Sequence, residues 1–338
     1  MADRIDTLYG PLSVMDDPRD LIRRFLEAYG EWGAVEAALA RHLIRPGDIV
    51  VDGGACLGTF ALSVAGASAG AGPARIVAVE PNTDILPLLR DNLERLCAVD
   101  VAVVGAALGE TAGEALFHPV PGNAGAGNLF GHRALTEVPD DPSADGSGTR
   151  PVPMLSLADI RASHGDYDFV KLDIEGATPA ALRGDAAYIA SRQPVAWVEC
   201  NEDETALETF REMRALFGQV QYVAFPCHRA APYRVPAQPI YPLAYEAALI
   251  GAAEDREIAL PPGLAEEECI LTPLTDADSL RRALWRTPRW AMAQWVPLSR
   301  PALIALLGRQ HLGQAWEDFL PETPPETPPD TPPGDRLD

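Results

Sequence analysis

The sequence predicts an α/β fold: a doubly wound, mostly parallel sheet with an N-terminal helical cap and a C-terminal extension. Short runs of β-branched and aromatic residues recur along the first two thirds of the 338-residue chain, as in buried strands. Segments with apolar residues at helical spacing separate most of these runs. Strands that alternate with helices give a parallel sheet that helices cover on both faces.

The predicted helical cap occupies residues 1–48. Apolar residues recur at helical spacing from Asp20 to Tyr29 and again from Glu31 to Ile44. Gly30 separates the two segments, and the turn Pro46-Gly47-Asp48 ends the second one.

The predicted core occupies residues 49–225. Its strands are expected at Ile49 to Asp52, Arg75 to Glu80, Val99 to Val104, Asp168 to Asp173, Val195 to Cys200 and Val220 to Phe225. Its helices are expected at Thr59 to Ala69, Asp84 to Leu96, Pro179 to Ser191 and Thr205 to Phe217. Pro87 fits the second helix only if it lies in the first turn.

Three stretches lack this alternation of predicted strands and helices. Pro119 to Pro151 is rich in Gly, Pro, Asn and Asp, which predicts a binding loop or a mobile lid. Residues 226–320 are expected to form an appended subdomain or a wrap around the core, with amphipathic helices near Ala277 to Trp285 and Pro301 to His311. Residues 321–338 repeat Glu/Asp-Thr-Pro-Pro, which predicts an extended, disordered tail.

Composition narrows the possible partners and location. The 27 Lys and Arg against 49 Asp and Glu give a net charge of −22, which would repel nucleic acid and anionic membranes. No apolar run resembles a signal peptide or a membrane span, so we expect no membrane insertion. The five cysteines are widely spaced and odd in number, which suggests neither a zinc site nor disulfides and favours the cytoplasm.

A glycine-rich turn and an acidic strand end predict an adenosine-binding site. The first core strand runs through Asp52-Gly53-Gly54-Ala55-Cys56-Leu57-Gly58 into a helix, whose first N–H groups can face a ligand. Glu80 ends the second core strand, where a carboxylate can accept hydrogen bonds from ribose hydroxyls. Because Asp52 would repel a pyrophosphate but suits the amino group of a methionine, the pattern favours S-adenosylmethionine over a nicotinamide dinucleotide.

Several further segments between about residues 10 and 205 form a recognisable set. They are Asp16 to Glu36 with Tyr29-Gly30-Glu31, Pro46-Gly47-Asp48, Val51 to Ala55, Glu80-Pro81-Asn82, Ala106 to Gly109, Asn123-Ala124-Gly125 and Lys171 to Ala177. In their order and spacing, these segments resemble the FkbM family of methyltransferases. The resemblance implies a class I, Rossmann-like methyltransferase fold and S-adenosylmethionine as the methyl donor. It also implies an oxygen acceptor on a sugar, a polyketide or a related metabolite.

The resemblance also assigns residues to the donor site. It implies that Asp52, Gly53, Gly54 and Gly58 form the loop at the methionine end, that Glu80 and Asn82 contact the ribose, that Ala106 and Ala107 flank the adenine, and that Asp173 and Glu175 lie beside the transferred methyl group. The chain departs from the family at Thr178, where an acid is common, and at Cys56-Leu57, where Asn-Ile is usual.

A hydroxyl acceptor requires a base, and carboxylates at strand ends are the candidates. Asp173 or Glu175 either takes the proton or holds a cation that lowers the acceptor's pKa. Alternatively, Asp173 orients the donor's amino group and Glu175 caps the next helix. Glu199 either completes an acidic cluster or is structural, and His228, the best-placed histidine, is a base or a structural residue.

The sequence therefore favours an O-methyltransferase that acts on a small molecule or a glycan. A nicotinamide-dependent oxidoreductase and a non-catalytic cofactor-binding relic, suggested by Thr178, remain alternatives. No metal ligands are assigned, and the sequence does not predict the oligomeric state.

Overall fold

The structure is a computed structural model. It describes residues 3–66, 72–130, 148–201, 205–237, 240, 244–261, 263–264 and 268–287. The predicted helix from Pro301 to His311 and the predicted tail at 321–338 lie outside the described residues.

Strands and helices alternate along most of the described chain. The helices are α1 (Leu21–Tyr29), α2 (Ala34–Leu43), α3 (Thr59–Ala65), α4 (Leu86–Leu96), α5 (Leu157–His164), α6 (Thr178–Arg183), α7 (Ala186–Arg192), α8 (Thr205–Leu216) and α9 (Ala277–Arg286). The strands are β1 (Asp3–Thr7), β2 (Gly10–Val14), β3 (Ile49–Gly53), β4 (Arg75–Val79), β5 (Asp100–Val104), β6 (Ala107–Leu108), β7 (Gly113–Val120), β8 (Asn123–Phe130), β9 (Arg150–Leu155), β10 (Phe169–Leu172), β11 (Val195–Glu199), β12 (Gln219–Pro226), β13 (Tyr245–Ala252) and β14 (Ile270–Pro273).

An eight-stranded sheet forms the centre of the molecule, in the order β14-β12-β13-β11-β10-β3-β4-β5. The strands from β5 to β11 in this order pair in parallel, whereas β13 pairs antiparallel with both β11 and β12. β3 therefore lies between β4 and β10, and the carboxyl ends of all three reach the same edge. The predicted mostly parallel sheet is confirmed.

Helices cover both faces of this sheet. Side chains from α1 to α4 join one buried apolar cluster, which includes Phe60 and Trp197. Side chains from α5 to α9 join the cluster on the opposite face, which includes Leu172 and Leu249. Because the inner strands β3, β4, β10 and β11 are buried on both sides, their residues are apolar almost without interruption. The doubly wound arrangement predicted from the sequence is thus confirmed.

Local signals in the sequence explain where several helices begin and end. Asp20 caps α1 by accepting the N–H of Arg23, and Gly30 ends the helix in the left-handed conformation. Pro87 lies in the first turn of α4, the position at which a missing N–H costs the helix nothing.

The sequence predicts only helices for residues 1–48, but the described part of this segment also contains two strands. Residues before α1 form the antiparallel hairpin of β1 and β2, with Gly10 at a φ of +100°. Leu12 and Val14 of β2 are buried, and β2 packs against α4. The hairpin therefore buries apolar residues that the prediction had left outside any element.

Pro119 to Pro151 also differs from the expected loop. Its described residues contribute to a four-stranded sheet in the order β6-β9-β7-β8, and residues 131–147 lie outside the description. Glycine and alanine replace the usual β-branched residues in β8, so the sequence gives little strand signal there. Pro119 occupies an irregular position of the ladder between His118 and Val120, where a strand tolerates proline.

Two further boundaries differ. The helix expected from Pro179 to Ser191 is divided into α6 and α7 at Gly184 and Asp185. Residues after 225 were expected to form an appended subdomain or a wrap around the core, and the described ones add β13 and β14 to the central sheet. α9 confirms the helix expected near Ala277 to Trp285.

Candidate active site

Two adjoining cavities lie at the carboxyl ends of the parallel strands. The first, of about 300 Å³, is bounded by the ends of β3, β10 and β11, by α1 and α2, and by the β7–β8 hairpin. The second, of about 30 Å³, lies between the ends of β4 and β6 and the same hairpin. Gly54, Gly125 and Asp173 line both cavities and mark their junction. Ligands of open α/β sheets bind at this edge.

The glycines after β3 permit a very close approach of two strand ends. Gly54 has a φ of +80°, and a Cβ added there would lie 1.9 Å from the carbonyl oxygen of Asp173. Gly53 accepts the N–H of Asp173 at 2.9 Å. Gly58, at a φ of +85°, begins α3 and packs against Leu89 and Leu93 of α4. The predicted loop residues therefore lie at the cavity junction or support it.

Glu80, which the sequence predicts to contact a ribose, lies at the second cavity. Its buried carboxylate lines the second cavity. It accepts the N–H groups of Cys56 at 2.9 Å and of Asn82 at 2.8 Å, one on each oxygen. A carboxylate has about four lone-pair positions, so two remain for a ligand. Burial raises the pKa of Glu80 to about 7, although both N–H groups oppose this shift.

The other residues assigned to the nucleoside differ in placement. Ala106 and Ala107 are buried and line the second cavity. The side chain of Asn82 lines neither cavity. Its Oδ1 accepts Arg150 at 2.8 Å and the N–H of Asp84 at 3.1 Å. Asn82 thus supports Glu80 through its backbone N–H.

Asp52 is fully buried, and neither of its carboxylate oxygens has a hydrogen-bond partner. Its side chain lines neither cavity, so any contact with a donor's amino group stays a prediction. Burial raises its pKa to about 6, against the attraction of Lys171. An ionised Asp52 is therefore costly in this structure.

Asp173 and Glu175 both line the first cavity. Asp173 Oδ2 accepts a hydrogen bond from Lys171 Nζ at 2.8 Å. Glu175 has a φ of +29°, a backbone conformation that non-glycine residues rarely adopt. Both residues therefore lie beyond the carboxyl end of β10, on the wall of the first cavity.

Glu199 joins these acids at the end of β11. It lines the first cavity and accepts Asn201 Nδ2 at 2.8 Å. Burial, followed by the charge of Asp173, raises the pKa of Glu199 well above the ordinary carboxyl value. Burial and the neighbouring acid therefore both disfavour the ionised form of Glu199.

The structure does not bring His228 to Asp173. The His228 ring stacks on Tyr29 with ring centres 4.1 Å apart, and its Nδ1 lies 3.0 Å from the carbonyl oxygen of Arg229. His228 lines neither cavity.

Burial raises the pKa of the Cys56 thiol well above its usual value, as expected for a packing residue.

Sequence analysis assigned no role to Lys171 or Glu36, yet both line the first cavity. Lys171 is a single charge in the otherwise apolar strand Phe169–Leu172, a signal that could have identified it. Glu36 accepts a hydrogen bond from Trp197 Nε1 at 2.9 Å. Because the two residues are 161 positions apart in the sequence, a local pattern could not reveal this contact.

Two further properties concern the described part of the chain only. No group of three or more His, Cys, Asp or Glu residues there has an arrangement that could hold a metal ion. No helix there is long and apolar enough to cross a membrane.

Several solved structures are similar to this chain. The methyltransferase FkbM from Methylobacillus flagellatus KT is 19% identical over 65% of this chain and 48% of its own, with a TM-score of 0.42. This chain thus spans about half the length of that protein. An S-adenosylmethionine-dependent O-methyltransferase from Thermotoga maritima is 14% identical over 76% and 79%, with a TM-score of 0.36. An rRNA methylase from Streptococcus thermophilus is 8% identical over 64% and 94%, with a TM-score of 0.35.

No curated protein sequence matches the chain. The model of the methyltransferase FkbM domain, in contrast, matches residues 52–225, which is slightly more than half of the chain. The matched range begins at Asp52 and contains Glu80, Asp173 and Glu175. The chain therefore belongs to the FkbM methyltransferase family.

Proposed function

We propose that this chain is an S-adenosylmethionine-dependent methyltransferase that acts on an oxygen of a sugar or secondary metabolite. The observation that carries the proposal is the buried Glu80 carboxylate, which faces a narrow cavity beside Ala106 and Ala107. Two of its lone pairs are free of backbone partners, and a ribose offers two adjacent hydroxyls.

The residues present fit such a donor. Glu80 would bind the ribose and Ala106 with Ala107 would flank the adenine, for which the second cavity, at about 30 Å³, must widen. Gly54, at the junction, would let the methionine end pass into the first cavity. The unpartnered carboxylate of Asp52 suits a nearby positive charge, whether direct or relayed.

The donor, when bound, supplies an electrophilic methyl carbon on a positively charged sulfur, which leaves as a neutral thioether. The chain must align the acceptor hydroxyl and remove its proton. Asp173 or Glu175 would take that proton, since both line the cavity at the junction. The left-handed backbone of Glu175 favours this role, because such strain concentrates at functional sites.

The acceptor is proposed to be a small molecule or a glycan. The first cavity, at about 300 Å³, matches the lower end of small-molecule sites. A net charge of −22 disfavours nucleic acid. We also propose a cytoplasmic location, as the number and spacing of the cysteines suggest.

Calorimetric titration with S-adenosylhomocysteine, the product of the donor, tests the proposal. The wild type should bind it, and Glu80→Ala should weaken binding about 100-fold, because two hydrogen bonds to a charged group are lost. Glu94→Ala, an exposed acid on α4, is the matched control and should bind as the wild type does.

Two outcomes would favour the alternatives. Tight binding of a nicotinamide dinucleotide, with no response to S-adenosylhomocysteine, would indicate an oxidoreductase. Binding of the donor without methylation of any candidate glycan or metabolite hydroxyl would indicate a relic.

A further inference from the structure

Lys171 is a buried cation at the base of the first cavity. Its side chain is only 3% exposed. Trp197, Lys171 and Asp52 are in register across β11, β10 and β3, so their side chains leave the same face of the sheet. The Lys171 ammonium also lies 5.4 Å from the centre of the Phe60 ring.

Three carboxylates from three elements surround this ammonium. Asp173 of the β10 end contacts it at 2.8 Å, and Glu36 of α2 and Asp52 of β3 lie close enough to act on its charge. Burial lowers the pKa of Lys171, but these carboxylates outweigh burial and hold the pKa above its usual range. Lys171 is therefore charged at neutral pH.

Glu36 is itself held in place. Trp197, which is 1% exposed, donates its indole N–H to Glu36 at 2.9 Å. Glu36 precedes the range 52–225 that the family model matches. The N-terminal helical segment thus supplies a charged residue to the cavity.

We propose that Lys171, balanced by Glu36 and Asp52, is a positioning residue that holds the Asp173 carboxylate at the junction of the two cavities. The inference rests on the proposed function, since it concerns one of the two acids proposed to lie beside the transferred methyl group. The backbone of Asp173 is already fixed by its N–H bond to Gly53. The contact with Lys171 fixes the remaining freedom, the direction of the side chain.

A positioned Asp173 should distinguish S-adenosylmethionine, which carries a positive sulfonium, from S-adenosylhomocysteine, which does not. The test is calorimetric titration of both ligands at pH 8 with wild type, Lys171→Met and Lys171→Arg. Lys171→Met should lower the preference for S-adenosylmethionine about tenfold, or about 1.4 kcal/mol. Lys171→Arg keeps the charge and should retain most of the preference.

A double-mutant cycle assigns the effect to Asp173. Asp173→Asn should cause the same loss of preference as Lys171→Met, and the combined variant should lose no more. If Lys171→Met does not fold, the double variant Lys171→Met/Asp52→Asn is used instead. It also removes the charge of Asp52, which would otherwise be left without the ammonium.

The inference is overturned if affinities for both ligands fall by the same factor, as a merely structural role would require, or if the two substitutions act additively. Absence of binding of either ligand to the wild type is a different result, because it contradicts the proposed function itself.

Discussion

Glu80 has a carboxyl group whose ionisation should control donor affinity. Burial places its pKa near 7 in the ligand-free protein. Ribose hydroxyls donate to the ionised form, so binding below pH 7 must release a proton. We expect the affinity for S-adenosylhomocysteine to be constant above about pH 8 and to fall towards tenfold per pH unit below 7.

Calorimetry between pH 5.5 and 9 checks this pH dependence. The same slope in Glu80→Ala would show that another group causes it, with Glu36, whose pKa burial also raises to about 7, as the next residue to test.

Asp52 should lower stability when it is ionised. Its pKa is raised from 3.8 to about 6, so the folded state binds the proton more tightly than the unfolded state does. This acid therefore costs stability as pH rises through 4 to 6, and the full cost remains above 6. Asp52→Asn should be about 3 kcal/mol more stable than wild type at pH 8, for a shift of about two pKa units.

Urea unfolding at pH 4 and pH 8 measures the effect of Asp52→Asn. Near pH 4 the two proteins should differ little, because the wild-type carboxyl is then protonated. If the difference in unfolding free energy between Asp52→Asn and the wild type is no larger at pH 8 than at pH 4, the raised pKa of Asp52 is contradicted.

At the scale of elements, α1 holds the β7–β8 hairpin over the cavities. Asp20 accepts the N–H of Ala124 at 2.8 Å as well as that of Arg23 in its own helix. The N–H of Leu21 also donates to the carbonyl of Gly122. The hairpin lines both cavities through Gly125, so its attachment should affect ligand release.

Asp20→Ala should cost about 1–2 kcal/mol of stability through the lost cap, and it should release S-adenosylhomocysteine several-fold faster because the hairpin is less firmly held. The matched control is Asp276→Ala, which removes the cap of α9, where Asp276 accepts the N–H of Ser279 at 2.7 Å. Stopped-flow measurement of the dissociation rate should show no change for this control. Equal rates in both variants would exclude a role for the hairpin in retention.

There are physical reasons why some elements could be identified from the sequence and others could not. The parallel strands were located to within one or two residues, because strands buried on both faces are uninterrupted apolar runs. β8 was missed, because its glycines and alanines satisfy the ladder without a β-branched pattern. β13 lies between β11 and β12 although it follows both in sequence, and local patterns do not specify such an insertion.

The site shows the same distinction between residues placed by local sequence and residues placed by tertiary packing. Glu80 was identified because a strand end followed by Pro81-Asn82 fixes its position locally. Glu36 and Lys171 meet only through the packing of α2 on the sheet, so their relation was not readable from spacing. His228 was assigned by its position after a strand, but its stacking on Tyr29 takes it away from the cavities.

At the scale of the whole molecule, the described residues after 225 contribute to the same core as the family domain. Leu249 of β13 is fully buried in the cluster shared with α8 and β10. Leu249→Ala should cost about 2–5 kcal/mol and shift a single unfolding transition in urea. Leu8→Ala, at a side chain that is 41% exposed, is the control and should change little. Two separate transitions would contradict a shared core.

The central claim is that the edge of the sheet between β3 and β4 binds an adenosine-bearing methyl donor. A crystal structure of the protein with S-adenosylhomocysteine tests this claim most directly. We predict that both ribose hydroxyls contact Glu80, that the adenine lies against Ala106 and Ala107, and that the methionine end passes Gly54 into the cavity of Asp173. A ligand bound elsewhere, or one whose ribose makes no contact with Glu80, would contradict the account.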